Sequence, residues 1–313
     1  MSGYYCIRYD FLEFTGNERL DLINRLSTNA LNSLNEHKAA RTILTNDKGR
    51  FVDFVTLLNF RNSVLCMCSF NNSANLTAHL DRYTITDDFH RRNVSGSYNS
   101  VLITGKDAEI IVSGIFSIDT VSMEDDDFVV TGENEIILRN DNSIGGYIVI
   151  YNTDSGDRFI NKLAEADIKK ISDTEFEAIR IEHGIPSFNR EMTELTNPLE
   201  CGMKKYISFT KGCYIGQEVI ARLDSYDKIS KHMIGIRLDT HVPIDERSEI
   251  KILKDSVACG YMTSTAISEK FGSIGLGFIK TQYIDYSSDY YVSCGEQNIN
   301  CKICKLPFTE NNL

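Results

Sequence analysis

Apolar and polar residues alternate over residues 5–15, the two-residue period of a half-buried strand, and Gly16-Asn17 breaks that rhythm. Leu20, Ile23 and Leu26 follow at helical spacing, so the strand leads into a helix that buries one face. The same order recurs downstream: an apolar strand over 101–103, then Thr104-Gly105, then a helix carrying Ile110, Ile111 and Ile115. Two strand–Thr-Gly–helix units predict a duplicated α+β lobe, because each helix needs a sheet to cover its apolar stripe. Between them, residues 41–44, 51–60 and 64–70 read as antiparallel strands and 74–83 as a helix. A further helix is expected over 157–166, before the segment 175–183. The acidic run Glu124-Asp125-Asp126-Asp127 reads as a solvated turn between strands, and residues 140–146 as another turn.

From about residue 232 the pattern changes. Short β-rich runs at 233–238, 249–253, 260–265, 273–279, 290–294 and 300–306 are separated by turns with little helical signal. That spacing predicts a small antiparallel barrel or sandwich. The expected division is therefore 1–231 for the α+β lobes and 232–313 for the β-domain.

Composition narrows the function classes. With 42% hydrophobic and 25% charged residues, the 313-residue chain has ordinary globular proportions. No apolar run approaches the ~20 residues that span a bilayer, so no membrane role is expected, and the setting is read as cytoplasmic or as an organelle matrix after processing. Nine cysteines without framework spacing suit a reducing compartment. A formal net charge of −11 argues against direct nucleic-acid binding.

The densest chemistry lies in Lys211-Gly212-Cys213-Tyr214-Ile215-Gly216-Gln217-Glu218, running on to Arg222. Two glycines bracket the thiol, and a nearby ammonium such as Lys211 favours the reactive thiolate. The same spacing also suits a strand turn whose cysteine is a small buried hydrophobe. Lys211, Arg222, Lys228 and Lys231 make this region locally basic, which suits a small anionic ligand. Other cysteine pairs carry less. Cys301-x-x-Cys304 lacks the second pair of a zinc ribbon, and Cys66 with Cys68 makes an incomplete ligand set, so no metal site is expected. Gly272-x-x-Gly275-x-Gly277 has the wrong order for a dinucleotide loop.

The run from Lys211 to Glu218 with Arg222 resembles the KGC-(Y/F)-x-GQE-x-x-x-R motif of the YgfZ family, folate-binding relatives of the glycine-cleavage T-protein. Arg180-x-Glu182-x-Gly184-x-Pro186, Asn197-Pro198-Leu199-Glu200, Phe14-Thr15-Gly16 and the Gly49-Arg50 hairpin resemble that family's other segments in the same order. The resemblance implies two ferredoxin-like α+β lobes of the aminomethyltransferase folate-binding type and a C-terminal antiparallel β-barrel. It implies a monomer that binds tetrahydrofolate in a central hollow between lobes and barrel. Its partners would be iron–sulfur client or assembly proteins, with indirect effects on tRNA modification.

Site residues follow from the same resemblance. Glu200 corresponds to the acid that accepts the two adjacent pterin donors, though sequence alone favours a loop glutamate at the surface. Tyr9 and Phe176 fall where the family places stacking aromatics, and both also suit a core. Arg222 would hold the acidic tail of folate, or pair with Asp224 or Glu218. Cys213, with Lys211 beside it, would be a redox or cluster-contacting thiol. Asp53 approximates the T-protein acid that orients folate for aminomethyl transfer, but it stands four residues after Gly49 where five are expected, and Phe54 takes the expected place. A one-residue slip turns a strand side chain to the other face unless a bulge intervenes. A fold of aminomethyltransferase type without that turnover is the first expectation. A T-protein aminomethyltransferase is the second, and a pure interaction module the third.

Overall fold

The computed structural model describes residues 2–225, 228–244, 250–294 and 297–310. The run read as one strand over 5–15 is two, β1 (Gly3–Tyr5) and β2 (Tyr9–Thr15), and they enter different sheets. Between them Ile7 N–H donates to Tyr5 O at 2.9 Å. A turn this short leaves the apolar rhythm unbroken, which is why periodicity misses it.

The first lobe continues with α1 (Arg19–Leu26), β3 (Ala39–Thr45), β4 (Phe51–Asn59), β5 (Val64–Ser69), α2 (Ser73–Tyr83) and β6 (His90–Asn93). Its five strands order as β3-β4-β5-β2-β6, every neighbouring pair antiparallel. Leu12 and Phe14 from β2 meet Ile23 and Leu26 of α1 and Leu76 and Leu80 of α2 in one buried cluster. Each such side chain contributes about 1.5–3 kcal/mol of burial. Gly16 makes the strand-to-helix turn possible: its φ is +100°, and a Cβ there would lie 2.1 Å from Asp88 O.

The second lobe comprises β7 (Tyr98–Thr104), α3 (Ala108–Phe116), β8 (Phe128–Val130), β9 (Ile136–Arg139), β10 (Tyr147–Asn152), α4 (Gly156–Glu165) and β11 (Lys169–Lys170). Its sheet runs β11-β1-β7-β10-β9-β8, with β1 pairing parallel to β11. The duplicated unit is present, but α3 packs through Ala108, Val112 and Phe116, while Ile110 is 75% exposed. Of the three isoleucines expected on the apolar stripe, Ile111 and Ile115 pack half-buried against the same core, and Ile110 faces away from it. The acidic run is also more than a solvated turn. Lys38 binds Asp127 at 2.6 Å and Asp126 and Glu124 at 3.4 Å, and Ala39 N–H donates to Asp126 O at 2.6 Å.

Beyond the lobes lie α5 (Asp173–Glu182), α6 (Gln217–Ser225) and six strands: β12 (Lys231–Leu238), β13 (Lys251–Lys254), β14 (Val257–Ser268), β15 (Gly272–Lys280), β16 (Tyr290–Cys294) and β17 (Gln297–Cys304). These six close into a barrel in the order β12-β15-β14-β13-β16-β17. The strand expected over 249–253 corresponds to β13; its first residue, Glu249, lies outside the described residues. The fold is thus two α+β lobes and a C-terminal antiparallel β-barrel. The chain packs as two compact units: residues up to Ile171 with Lys205–Gln217 form unit 1, and Ser172–Lys204 with the residues from Glu218 onward form unit 2.

In unit 2 the Arg180-x-Glu182-x-Gly184 segment fixes α5 to the barrel. The buried Arg180 guanidinium donates to Glu191 Oε2 at 3.0 Å, Ser264 Oγ at 2.7 Å and both Glu177 oxygens at 2.6 and 2.9 Å. Glu191, with no exposed surface, also accepts from Ser187 N at 2.9 Å and from Thr263 Oγ1 and Ser264 Oγ at 2.6 Å. A buried ion pair persists when its remaining donors and acceptors are filled in this way. This motif is a structural fastening.

Candidate functional site

The aromatic face of unit 1 begins at the β3–β4 hairpin. Leu44 pairs with Asp53 but Thr45 pairs with Phe51, so Val52 is the extra residue of a β-bulge. Beyond the bulge Asp53 shares a face with Val55 and Leu57, both in the helix-covered core. Asp53 is fully buried there, accepting from Ser69 Oγ at 2.6 Å, Asn72 Nδ2 at 2.8 Å and Ser69 N at 3.2 Å. Burial pushes its carboxyl up to about 6 despite those donors. The bulge therefore does not turn Asp53 towards Phe54's side of the sheet.

Phe54 points to the other face, its ring 4.6 Å from that of Tyr206. Tyr9 lies in the same neighbourhood: burial pushes its hydroxyl up to about 12, Arg41 opposing and Tyr206 adding to the shift. Arg41 donates to Arg139 O at 2.9 Å and pairs with Asp141 at 3.0 Å. Lys205 reaches Asp141 O at 3.0 Å and stands 4.7 Å over the Tyr206 ring. A 350 Å³ cavity opens beside Arg41, Lys205 and Tyr206. Sequence reasoning had singled out Tyr9 but neither Arg41 nor Tyr206, because nothing in periodicity distinguishes a sheet-face arginine or a turn tyrosine from packing.

The Lys-Gly-Cys segment returns to this unit and is pinned along its length. Thr28 Oγ1 donates to Tyr206 O at 2.7 Å, Ser208 N to Thr28 O at 2.9 Å, and Thr45 Oγ1 to Ile215 O at 2.7 Å. Gly216, at φ +81°, packs so closely that a Cβ would meet Asn46 O at 2.6 Å. Lys211 Nζ donates to the carbonyls of Asn24 (2.6 Å), Ser27 (2.8 Å) and Asn29 (2.6 Å). Those carbonyls lie at and just beyond the end of α1, where helical partners run out. An ammonium has three N–H bonds, and these three acceptors use them. Lys211 thus serves the end of α1 rather than the Cys213 thiol, and burial pulls it down to about 8. Cys213 is exposed at the tip, whereas the other described cysteines are buried or half-buried.

In unit 2, Asn197-Pro198-Leu199-Glu200 closes on itself. Asn197 Oδ1 accepts from Glu200 N at 3.0 Å while Glu200 Oε2 accepts from Asn197 N at 3.1 Å, the reciprocal pattern of a capping box. Glu200 is only 3% exposed, takes Ser230 Oγ at 3.1 Å, and has Lys231 Nζ at 3.9 Å. The surface-glutamate alternative is thereby removed. Lys231 also meets Tyr261 Oη at 2.9 Å. Phe176 is half-buried on α5 and Arg222 exposed on α6; Asp224, one partner considered for Arg222, is held by Lys204 at 2.5 Å. Tyr9, Asp53, Lys211 and Cys213 thus fall in unit 1, and Phe176, Glu200 and Arg222 in unit 2. Among the described residues no cluster of His, Cys, Asp and Glu could hold a metal ion, and no helix is long and apolar enough to cross a membrane.

Comparison with known proteins places this geometry. Residues 9–211 match the family described as GCVT N-terminal domain, and residues 231–310 match the glycine cleavage T-protein C-terminal barrel domain. A putative chloroplastic transferase of Arabidopsis thaliana is 26% identical over 286 residues, covering 87% of this chain but only 63% of that protein. The aminomethyltransferase of Flavobacterium psychrophilum is 22% identical over 305 residues, 94% of this chain and 83% of its own length. That of Listeria welshimeri is 24% identical over 304 residues, with 94% and 82% covered. The crystal structure of glycine cleavage system aminomethyltransferase T from Bartonella henselae superposes with a TM-score of 0.86 over 99% of this chain and 86% of that one, at 14% identity, a likeness of fold.

Proposed function

The chain belongs to the glycine-cleavage T-protein family, and from that premise we propose that it binds a reduced folate, with a one-carbon unit on the folate as the object of its chemistry. The observation that carries this reading is the face where Tyr9, Phe54 and Tyr206 gather beside Arg41 and Lys205. Flat rings suit a pterin or benzoyl group; Arg41 and Lys205 are both engaged by Asp141, and Asp125 and Asp126 line the same cavity, so the rings carry the reading. The roles proposed for Glu200 as pterin acid and for Phe176 and Arg222 as aromatic and cationic contacts rest on the resemblance alone and concern unit 2 by itself. Calorimetric titration with tetrahydrofolate tests it: saturable binding at low-micromolar to millimolar concentration, weakened by Tyr9→Ala, is expected. No heat of binding by the wild type would end it.

Two finer readings rest on different observations. Aminomethyl transfer to tetrahydrofolate is supported by the names of relatives that align with 94% of the chain. Support of iron–sulfur clusters in client enzymes, as implied by the YgfZ resemblance, is supported by the exposed Cys213 in its Lys-Gly-Cys setting and by Phe54 standing in place of a carboxylate. An assay with an aminomethylated lipoyl carrier separates them: turnover favours the first, while folate binding without turnover favours the second.

A further inference from the structure

Unit 2 holds a groove of about 710 Å³ that none of the assigned residues above lines. Its floor includes Cys201, Cys304 and Ile234, all buried. The Cys201 thiol donates to Glu191 O and Cys304 packs into an interior cluster, so the accessible apolar lining comes from the half-buried Met233, Ile284 and Leu306. The rim is different in character. Lys305 stands 5.6 Å over the Tyr286 ring, and His183 and His232 contribute imidazoles from the end of α5 and from β12. No aspartate or glutamate is among the lining residues, in a chain with 44 acidic against 33 basic residues.

The walls are fixed before any ligand arrives. Met233 N donates to Glu200 O at 2.8 Å, Phe308 N to Glu182 O at 2.8 Å, and Tyr290 Oη to Tyr283 O at 2.6 Å. The volume lies within the roughly 300–1,000 Å³ of small-molecule sites, and the lining mixes polar with apolar side chains.

We propose that this groove binds a small organic anion with an apolar body, its acid group at Lys305 and the two imidazoles and its body over Met233, Ile284 and Leu306. The proposal stands apart from the folate reading, which concerns other residues.

The probe is 1-anilinonaphthalene-8-sulfonate, an aromatic sulfonate, titrated by fluorescence into the folded protein. Lys305→Glu should weaken its binding about tenfold or more, while Lys251→Glu, an exposed barrel lysine outside the groove, should change it less than about threefold. Equal losses in both variants, or no saturable binding, would overturn the proposal. Excess tetrahydrofolate should leave the probe in place; displacement would make the groove part of the folate site and also overturn it. Tetrahydrofolate affinity, measured separately by calorimetry, reports on the folate reading alone.

Discussion

Glu200 is held by its own turn before any ligand arrives, so a substitution there has two effects that must be separated. Glu200→Gln keeps the side chain's shape and one acceptor oxygen but removes the charge. Folate affinity should fall by about 1.5–3 kcal/mol, the size of a hydrogen bond to a charged group. Calorimetry gives the affinity and thermal melting the stability; a lower melting point with unchanged affinity would make the residue structural only. Cys213 should be the first thiol alkylated in ligand-free protein, since the other described cysteines are less accessible. Brief labelling and peptide mapping check this, and earlier modification of Cys6 or Cys301 would refute it. Asp53 gives a pH signature. Its folded-state value of about 6 lies above the ordinary 3.8, so between these the folded protein holds the extra proton. Its stabilising contribution is complete below about pH 4 and is lost as pH rises through 6, by up to ~3 kcal/mol. Relative to Asp53→Asn, the wild type should therefore lose advantage between urea titrations at pH 4.5 and pH 7.5. A difference independent of pH would show that this carboxyl does not titrate there.

At the scale of elements, the segment 205–217 is a brace whose key contact is one ammonium on three carbonyls. Lys211→Met leaves those carbonyls to water or to nothing and should cost about 1–3 kcal/mol. Amide exchange after α1, around Leu31, should speed up, while Lys211→Arg recovers part of the loss. Unchanged exchange in the methionine variant would mean that water replaces the ammonium fully. The sequence made the motif visible but not this contact, because Lys211 and Asn24 are 187 residues apart. Proximity to Cys213 along the chain suggested thiol activation; three-dimensional proximity to the end of a helix decides otherwise. Asp53 poses a local question. Its spacing from Gly49 left open whether a bulge restores the register, and the bulge at Val52 leaves Asp53 on the core face.

For the whole molecule, the side of the sheet on which Asp53 lies bears on catalysis. Aminomethyl transfer should run at least ~100-fold below a competent T-protein, since a misplacement of about 1 Å already costs that much. A mixed assay with the other glycine-cleavage components measures it, and comparable turnover would favour the aminomethyltransferase reading. The lobes and barrel were legible because apolar period and turn spacing are local properties, and the six barrel strands follow turn by turn. Which segment packs with which unit was not legible, since residues 172–204 and 205–217 go to different units and share no period that says so. That interleaving governs how the protein can be made. On a ribosome adding ~5–20 residues per second, the end of α1 waits roughly 10–40 s for Lys211 to be synthesised. Throughout that interval the carbonyls of Asn24, Ser27 and Asn29 have water as their partner in place of Lys211, and the first lobe lacks this brace until part of the other unit has been translated.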